Sequence, residues 1–420
     1  NFDERSMAGM MRESRLAGVG ELIREDNVHE YASVGCLENT MVGNDRSGTV
    51  DCNLNLLKAV ELALGDGMPL VTFTDTITGV TERPLRQGPR TGDPRKFDSF
   101  DRFWEAYAVQ TRHIVDLIVR LYDRGDALRA EFGPTPYLST LVRGCAAKGR
   151  DVTAGGAELS FVTVEGVTFA TTVDSLLAVK FLVFDKKLCS MDELIRALRD
   201  NWVGHETLQA RAKNQAPKYG RDDDEADAMA LRVMELWTGE TWKRQTPATG
   251  RRYRPGMLSW NYWVGDGYIL PASPDGRPKD RFLSNAICPV DGADLNGPTA
   301  NANSVGKALG GKADGGSGDR DGYVNLLPNG ASHTISFNPS FIRSRENRAK
   351  FKAFLRGYTE NGGTALQVNM LDPAVLRDAQ KRPGDYRHLL VRVTGYNAYF
   401  TSIGKELQDE VIARMAHEGL

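Results

Sequence analysis

Three residues near the two ends of this 420-residue chain could take part in chemistry. Cys36 and Glu38 offer their side chains, and Gly395 offers its backbone. A thiol holds its hydrogen weakly and its sulfur is soft and polarizable, so a cysteine can exchange hydrogen atoms with carbon. Glu38 follows two residues later, which on an extended loop puts both side chains on the same side. A carboxylate in that place can act as a general base. Such a pair could transfer hydrogen atoms and protons, although by themselves a cysteine is more often an inert buried residue and a glutamate a solvated surface residue.

Gly395 lies in the middle of residues 391–400, a run that otherwise has the composition of a strand. A central glycine weakens a strand and normally marks a bulge or a close approach of backbone. A glycine α-carbon can become planar and share an unpaired electron with both flanking amides, whereas a side chain would crowd such a centre. In isolation such a glycine is more simply explained as a turn at a sheet edge, because short motif matches are often accidental. Its chemical interpretation is storage of an organic radical.

The pattern around Gly395 is longer than one glycine. Residues 392–400 read Arg-Val-x-Gly-Tyr-x-Ala-x-Phe, and a helix is predicted to begin near Gly404. This pattern resembles the radical signature of the glycyl radical enzymes, the pyruvate formate-lyase-like family. Residues 34–38, Val-Gly-Cys-Leu-Glu, resemble the cysteine-loop motif Gly-Cys-x-Glu of the same family. The helix-like stretch 54–64 resembles the segment that follows that loop.

Three further segments, residues 148–157, 274–277 and 297–300, are similar to recurrent segments of the family. By themselves they predict turns and packing glycines, and we assign them no chemistry. The resemblance therefore covers almost the whole chain.

The resemblance implies a fold and a division of roles. It implies an α/β fold that forms half of a ten-stranded β/α barrel, with a cysteine-loop half-barrel in residues 1–300 and a glycyl radical domain in residues 301–420. Gly395 would store the radical, Cys36 would become the thiyl and Glu38 would handle the proton. Arg392 and Tyr396 would support the radical loop.

The neighbours of Cys36 imply which reaction to expect. Formate acetyltransferases of the family use two adjacent cysteines, whereas Cys36 stands between Gly35 and Leu37. The Cys-x-Glu pattern resembles the lyase branch, so we expect a dehydratase or decarboxylase that cleaves a C–O, C–N, C–S or C–C bond of a small organic substrate. A fumarate-adding alkylsuccinate synthase is an alternative. It should need basic residues to bind the fumarate carboxylates, and Arg46 is the only nearby candidate. A non-catalytic spare glycyl radical subunit is another, and the presence of Cys36 and Glu38 disfavours it.

The resemblance also implies cofactors and partners. The radical on Gly395 would be introduced by a separate activating enzyme that uses S-adenosylmethionine and an iron-sulfur cluster, and this chain would bind no metal. In the family the cysteine loop lies near mid-chain, so a partner chain or subunit is expected to supply the N-terminal half of the barrel. A homodimer is left open.

Two polar residues after the cysteine loop, Thr49 and Asn53, could point into the same pocket and contact the substrate. Polar groups near a helix N-terminus are an equally good explanation for them.

Composition and charge exclude several other functions. The 53 basic and 55 acidic residues are interspersed and give a net charge of −2, so nothing favours nucleic acid or an anionic membrane as partner. The five cysteines and six histidines show no metal-ligand spacing. No apolar run reaches the length of a membrane span. We therefore expect a reduced, cytoplasmic protein that acts on a small, near-neutral molecule.

The elements that must position these residues follow from periodicity. Apolar residues at helical spacing predict a long helix over 99–124, and shorter helices around 194–198, 225–237 and 344–356. Residues 161–171, rich in Val, Thr and Phe, predict a strand, and residues 334–337 and 365–370 predict short strands. Glycine-rich residues 306–322 predict a loop. Helices mixed with strands indicate the α/β class.

Overall fold

Parallel strands separated by helices make up the framework that holds the two motifs. A computed structural model describes residues 30–36, 38–46, 50–72, 85–310, 326–414 and 416–417. Its strands are β1 (Tyr31–Val34), β2 (Glu38–Met41), β3 (Cys52–Asn55), β4 (Phe161–Val167), β5 (Arg252–Gly256), β6 (Ser332–Phe337), β7 (Ala365–Met370), β8 (Leu390–Arg392), β9 (Asn397–Tyr399) and β10 (Ala416–His417). Its α-helices are α1 (Leu56–Leu64), α2 (Phe100–Phe132), α3 (Pro136–Leu141), α4 (Cys145–Lys148), α5 (Phe169–Val179), α6 (Met191–Arg199), α7 (Glu206–Asn214), α8 (Asp224–Trp242), α9 (Tyr262–Ile269), α10 (Pro298–Ala308), α11 (Arg345–Glu360), α12 (Pro373–Lys381) and α13 (Lys405–Ala413).

Five of these strands lie side by side in the order β3, β4, β5, β6 and β7. β4 pairs in parallel with both β3 and β5, and β6 pairs in parallel with β7. A parallel bridge between Met257 and Ala331 joins the end of β5 to the start of β6. Helices separate each strand from the next, as parallel connections require. The predicted α/β class is confirmed. The strand count agrees with half of a ten-stranded barrel, and the complete barrel stays a prediction.

The core lies between these strands and the helices that follow them. All seven residues of β4 are buried, as expected for a parallel strand covered on both faces. Helix α1 packs with Leu57 against the same core as Val164 of β4 and Phe169 of α5. Trp237 of α8 occupies the space that a side chain at Gly166 would need, since a Cβ there would lie 2.9 Å from the indole ring. This packing fixes the positions of β3 and β4.

Most predicted elements are confirmed, and two boundaries are wrong for a local reason. The helix predicted over 99–124 runs on through Gly125 to Phe132, because Gly125 faces open space and the chain is not interrupted until Gly133 and Pro134. The strand predicted over 161–171 ends at Val167, because Thr168 adopts φ +67° and starts helix α5.

Two other expectations need correction. Residues 391–400 form a hairpin of β8 and β9 with Gly395 in its turn, rather than one interrupted strand. The predicted loop 306–322 begins inside helix α10, and its part from 311 onward lies outside the described residues. In the ranges that the structure covers, no helix is both long and apolar enough to span a bilayer.

Candidate active site

The tips of two hairpins meet at the centre of the candidate site. Strands β1 and β2 pair Val34 with Glu38, which leaves Cys36 in the connecting turn. Strands β8 and β9 pair Arg392 with Asn397, which leaves Gly395 in theirs. A Cβ built on Gly395 would lie 2.1 Å from the Cα of Cys36 and 2.6 Å from its Sγ. The structure therefore brings the two sequence-predicted residues into direct contact, and no side chain fits at position 395.

The conformation of Gly395 distinguishes its two α-hydrogens. The hydrogen in the position of an L side chain points at Cys36, because that is where the built Cβ meets the sulfur. With φ at +67°, this hydrogen stands well out of the plane of the Thr394–Gly395 amide, and the other hydrogen lies close to that plane. The C–H bond that faces Cys36 is thus the one that can overlap with the amide π system. Removing this hydrogen would leave an orbital aligned for delocalisation.

The surroundings of Cys36 keep its hydrogen on sulfur. The residue is 4% exposed, and burial, followed by the nearby carboxylates Glu38 and Glu165, raises the pKa of its thiol to about 12. The thiol lies 3.5 Å from the carbonyl oxygen of Thr394, to which it donates. A protonated thiol is the form that hydrogen-atom exchange needs, in contrast to the thiolate of a nucleophilic cysteine.

The backbone conformation and the close neighbours of Gly35 explain why the Gly-Cys-x-Glu motif begins with glycine. It has φ +57°, in the left-handed region that favours glycine. A Cβ at Gly35 would lie 2.7 Å and 2.8 Å from the two carboxyl oxygens of Glu38. The buried Glu38 carboxyl therefore folds back over Gly35, beside Cys36, and the motif is a packing unit as well as a chemical one.

The first residue of β6 and the segment before it anchor the cysteine hairpin. The hydroxyl of Ser332 donates to the carbonyl of Cys36. The backbone nitrogen of Asn39 donates to the carbonyl of Asn329 at 3.0 Å, and the side-chain nitrogen of Asn39 donates to the carbonyl of Pro328 at 2.9 Å. These contacts place Cys36 against the end of the parallel sheet.

Side chains of β7 and of the C-terminal segment anchor the glycine hairpin. The Asn369 side chain accepts from the backbone nitrogen of Arg392 at 3.0 Å and donates to its carbonyl at 2.9 Å. Arg414 donates to the carbonyls of Arg392 and Val393, both at 2.9 Å, and is paired with the buried carboxylate of Glu410. The loop is thus held through the backbone of Arg392 and Val393.

Both residues predicted to support the radical loop make contacts there. The Arg392 Nε donates at 2.7 Å to the side-chain oxygen of Gln367, which also accepts from the Gly395 backbone nitrogen at 2.8 Å. The Tyr396 hydroxyl accepts from the side chain of Asn261 at 2.6 Å. Sequence patterns identified Arg392 and Tyr396 but not the partners that bind them.

Glu165 is a carboxyl group of the site that the sequence analysis missed. It lies in the middle of β4, is fully buried and accepts from the Asn329 side chain at 2.6 Å. Its second oxygen occupies the space beside Gly256, where a Cβ would lie 2.4 Å away. Burial first, and then the charge of Glu38, raises the pKa of Glu165 well above its usual range. The sequence signal that could have identified Glu165 is a lone acidic residue inside an apolar run.

Asn53 shares a face of the sheet with Glu165. The two residues are partners in the parallel register of β3 and β4, so their side chains project to the same side. The side-chain oxygen of Asn53 is buried and has no partner within the described ranges. Thr49, the other predicted substrate contact, lies outside the described residues. Arg46, the basic residue near the cysteine loop, forms an ion pair with Asp51 at 3.3 Å.

Metal ligands are not grouped in the part of the chain that the structure covers. No three His, Cys, Asp or Glu side chains of the described ranges come together as a metal site, and the five cysteines are free thiols. The expectation that this chain binds no metal stays a prediction.

Comparison with known families assigns the chain to a class. Residues 1–266 match the family described as Pyruvate formate lyase-like, and residues 323–401 match the one described as Glycine radical. The chain therefore belongs to the pyruvate formate lyase-like glycyl radical enzymes.

Two similar relatives and one similar solved structure are dehydratases. The chain is 33% identical to trans-4-hydroxy-L-proline dehydratase of Clostridioides difficile over 90% of its length and 45% of the relative's. It is 33% identical to (2S)-3-sulfopropanediol dehydratase of Klebsiella oxytoca, with 98% and 46% coverage. The structure of the B12-independent glycerol dehydratase from Clostridium butyricum is similar with a TM-score of 0.85 and 31% identity, over 96% of this chain and 48% of that one. The chain thus spans about half the length of these relatives.

Proposed function

We propose that the assembled protein is a glycyl radical lyase that eliminates a leaving group from a small organic substrate. The observation that supports this most directly is the contact between the α-carbon of Gly395 and the thiol of Cys36. That contact provides a path for a hydrogen atom between a buried storage site and a reactive sulfur. The similarity to two dehydratases supports elimination of water.

The proposed cycle conserves hydrogen atoms at each step. A separate radical S-adenosylmethionine enzyme with an iron-sulfur cluster removes one α-hydrogen from Gly395. Cys36 then gives its thiol hydrogen to the α-carbon of Gly395 and becomes a thiyl radical, which removes a hydrogen atom from a substrate carbon. After the leaving group departs, the product radical takes that hydrogen atom back from Cys36. Gly395 finally returns its hydrogen to sulfur and is a radical again.

Two carboxyl groups near Cys36 suit the proton transfers of an elimination. Loss of water from a diol requires removal of a proton from one hydroxyl and delivery of a proton to the other. We assign Glu38, next to Cys36 on the hairpin, as the base. Glu165 is kept protonated by burial and by the Glu38 charge, so it can serve as the acid. Asn53, on the same face as Glu165, would hydrogen-bond the substrate, and Thr49 stays a predicted contact.

We further propose that a second barrel half, as an N-terminal segment or a separate subunit, completes the site. The parallel array has β3 and β7 at its two ends, and unpaired strand edges are poorly tolerated. The chain spans 45% and 46% of the two dehydratase relatives, which leaves room for such a half. The predicted boundary between the cysteine-loop half-barrel, residues 1–300, and the radical domain, residues 301–420, divides the five parallel strands, because β6 and β7 lie in the second part. A homodimer of the assembled protein is compatible with this arrangement.

Product analysis tests the proposed function. The assembled, activated enzyme would be offered vicinal diols, hydroxyproline, hydroxyalkylsulfonates and arylacetates, and separately a hydrocarbon with fumarate. We expect an elimination product from one of the first three classes or a decarboxylation product from an arylacetate, and neither with Cys36→Ala. Formation of a fumarate adduct instead would support the alkylsuccinate synthase. A Cys36→Ala chain that still restores turnover to a damaged partner would support the spare subunit, and either result would overturn the lyase.

A further inference from the structure

One side chain, Gln367 of β7, touches the radical glycine itself. Its Oε1 accepts from the backbone nitrogen of Gly395 at 2.8 Å and from Nε of Arg392 at 2.7 Å. The residue is 4% exposed, so water does not compete for these bonds. The Gly395 amide is therefore held by a buried acceptor whose own position is fixed by a cation.

The orientation of the Gln367 amide follows from these partners. A flipped side chain would set its NH₂ group against two N–H donors, which is unfavourable. The observed orientation leaves Nε2 buried without an acceptor among the residues that the structure describes. The side chain thus keeps its oxygen on Gly395 even though its nitrogen gains no bond.

The peptide unit between Thr394 and Gly395 is held at both of its polar ends. Gln367 binds its N–H, and the thiol of Cys36 donates to its carbonyl oxygen at 3.5 Å. Asn369 and Arg414, in contrast, bind only the backbone of Arg392 and Val393. Two contacts therefore fix the plane of the one amide that precedes the α-carbon of Gly395.

We propose that Gln367 is the positioning residue that determines how well Gly395 holds an unpaired electron. This inference rests on the proposed function, since it assumes that Gly395 is the radical site. An electron on the α-carbon is stabilised only where its orbital overlaps the π systems of the flanking amides. Fixing the N–H of Gly395 fixes that overlap, which at φ +67° favours loss of the hydrogen that faces Cys36.

The hydrogen bond from the Gly395 N–H to Gln367 also changes the electron density at Gly395. A hydrogen bond donated by N–H shifts electron density toward nitrogen. A radical carbon between an electron-donating nitrogen and an electron-withdrawing carbonyl is stabilised by such donation. Gln367 would therefore weaken the α-C–H bond of Gly395 and make the glycine a more persistent reservoir.

The test compares variants of the assembled enzyme after activation, with anaerobic electron paramagnetic resonance as the readout. Gln367→Leu removes the acceptor and keeps a similar volume, and Gln367→Glu keeps an acceptor for both donors. Asn369→Leu is the matched control, because it loosens the same loop from the same strand without touching Gly395. Should Gln367→Leu fail to fold, Gln367→Asn withdraws the acceptor with a smaller change.

We expect Gln367→Leu to lower the glycyl radical yield by about tenfold, the effect of losing the hydrogen bond to the Gly395 N–H, and to change the hyperfine splitting. Gln367→Glu should restore both, and Asn369→Leu should keep the wild-type splitting. An unchanged splitting and yield in Gln367→Leu would overturn the inference, as would the same altered splitting in Asn369→Leu. A folded wild-type enzyme that gives no radical would overturn the proposed function instead, and this inference with it.

Discussion

The α-carbon of Gly395 lies against Cys36, so closely that a methyl group on the glycine would fall 2.4 Å from the Cys36 Cβ. The two residues come from hairpins at opposite ends of the chain, each held to the parallel sheet by its own set of hydrogen bonds. This contact leads to predictions that separate storage of the radical from its use.

Replacing Gly395 removes the storage site. Gly395→Ala should abolish the glycyl radical and all turnover, because alanine cannot be accommodated beside Cys36 and is strained at positive φ. Spin quantification after activation is the measurement. Gly404→Ala is the control: its φ is −60° and a Cβ would meet only the Glu406 carboxylate at 3.4 Å, so it should keep wild-type radical yield. A strong glycine-type signal from Gly395→Ala would contradict the assignment.

Replacing Cys36 should separate the two functions. Cys36→Ala should still form the radical on Gly395, because the hydrogen is removed by the activating enzyme, but should have no turnover. In D₂O the wild-type doublet should collapse as deuterium from the thiol reaches Gly395, whereas Cys36→Ala should keep its doublet. The half-buried Cys189 provides the control, and Cys189→Ala should behave as wild type in both assays. Turnover by the Cys36→Ala enzyme would refute the thiyl role.

Replacing Glu38 should slow the chemistry without affecting storage. Glu38→Gln should lower kcat by about 10²–10⁴-fold, the usual contribution of one acid–base group, at unchanged radical yield. Steady-state kinetics and spin counts on the same samples test this. Glu406→Gln, at an exposed position of α13, should change neither. If Glu38→Gln retained near wild-type kcat, another group would have to be the base.

The raised pKa of Glu165 predicts that the stability of the folded protein depends on pH. Burial raises its pKa in the folded state above that in the unfolded chain, so the folded state binds more protons, and stability is lost as pH rises through the folded pKa. Glu165→Gln removes this loss. Its thermal stability relative to wild type should therefore be lower or equal at about pH 5 and improve toward about pH 8. A stability difference that is constant with pH would show that Glu165 titrates normally.

How far the sequence predicts this site depends on how local each constraint is. Gly35, Cys36 and Glu38 form one packing unit within four residues, and Gly395 is confined to a turn by the contact at its α-carbon. Such constraints leave a recognisable pattern along the chain, and both motifs were identified from it. One strand boundary failed because Thr168, at positive φ, ended the strand within a run of strand-forming residues, and one helix boundary failed because Gly125 did not end the helix.

The missed residues depend on contacts between distant segments. Glu165 meets Asn53 through the register of two strands and Asn329 through a later loop. Gln367 was placed correctly on a strand, but no local pattern shows that its oxygen reaches Gly395. Sequence spacing predicts to which face of a strand a side chain points. It does not predict which residue of a separate hairpin contacts that side chain.

The most direct test of the account is an anaerobic electron paramagnetic resonance spectrum of the assembled enzyme after activation, followed by exposure to air and mass analysis. We predict a glycine-centred doublet, and then backbone cleavage at Gly395 that releases a short C-terminal peptide. A well-folded, fully assembled sample that shows neither the doublet nor the cleavage with a competent activating enzyme would contradict the radical assignment.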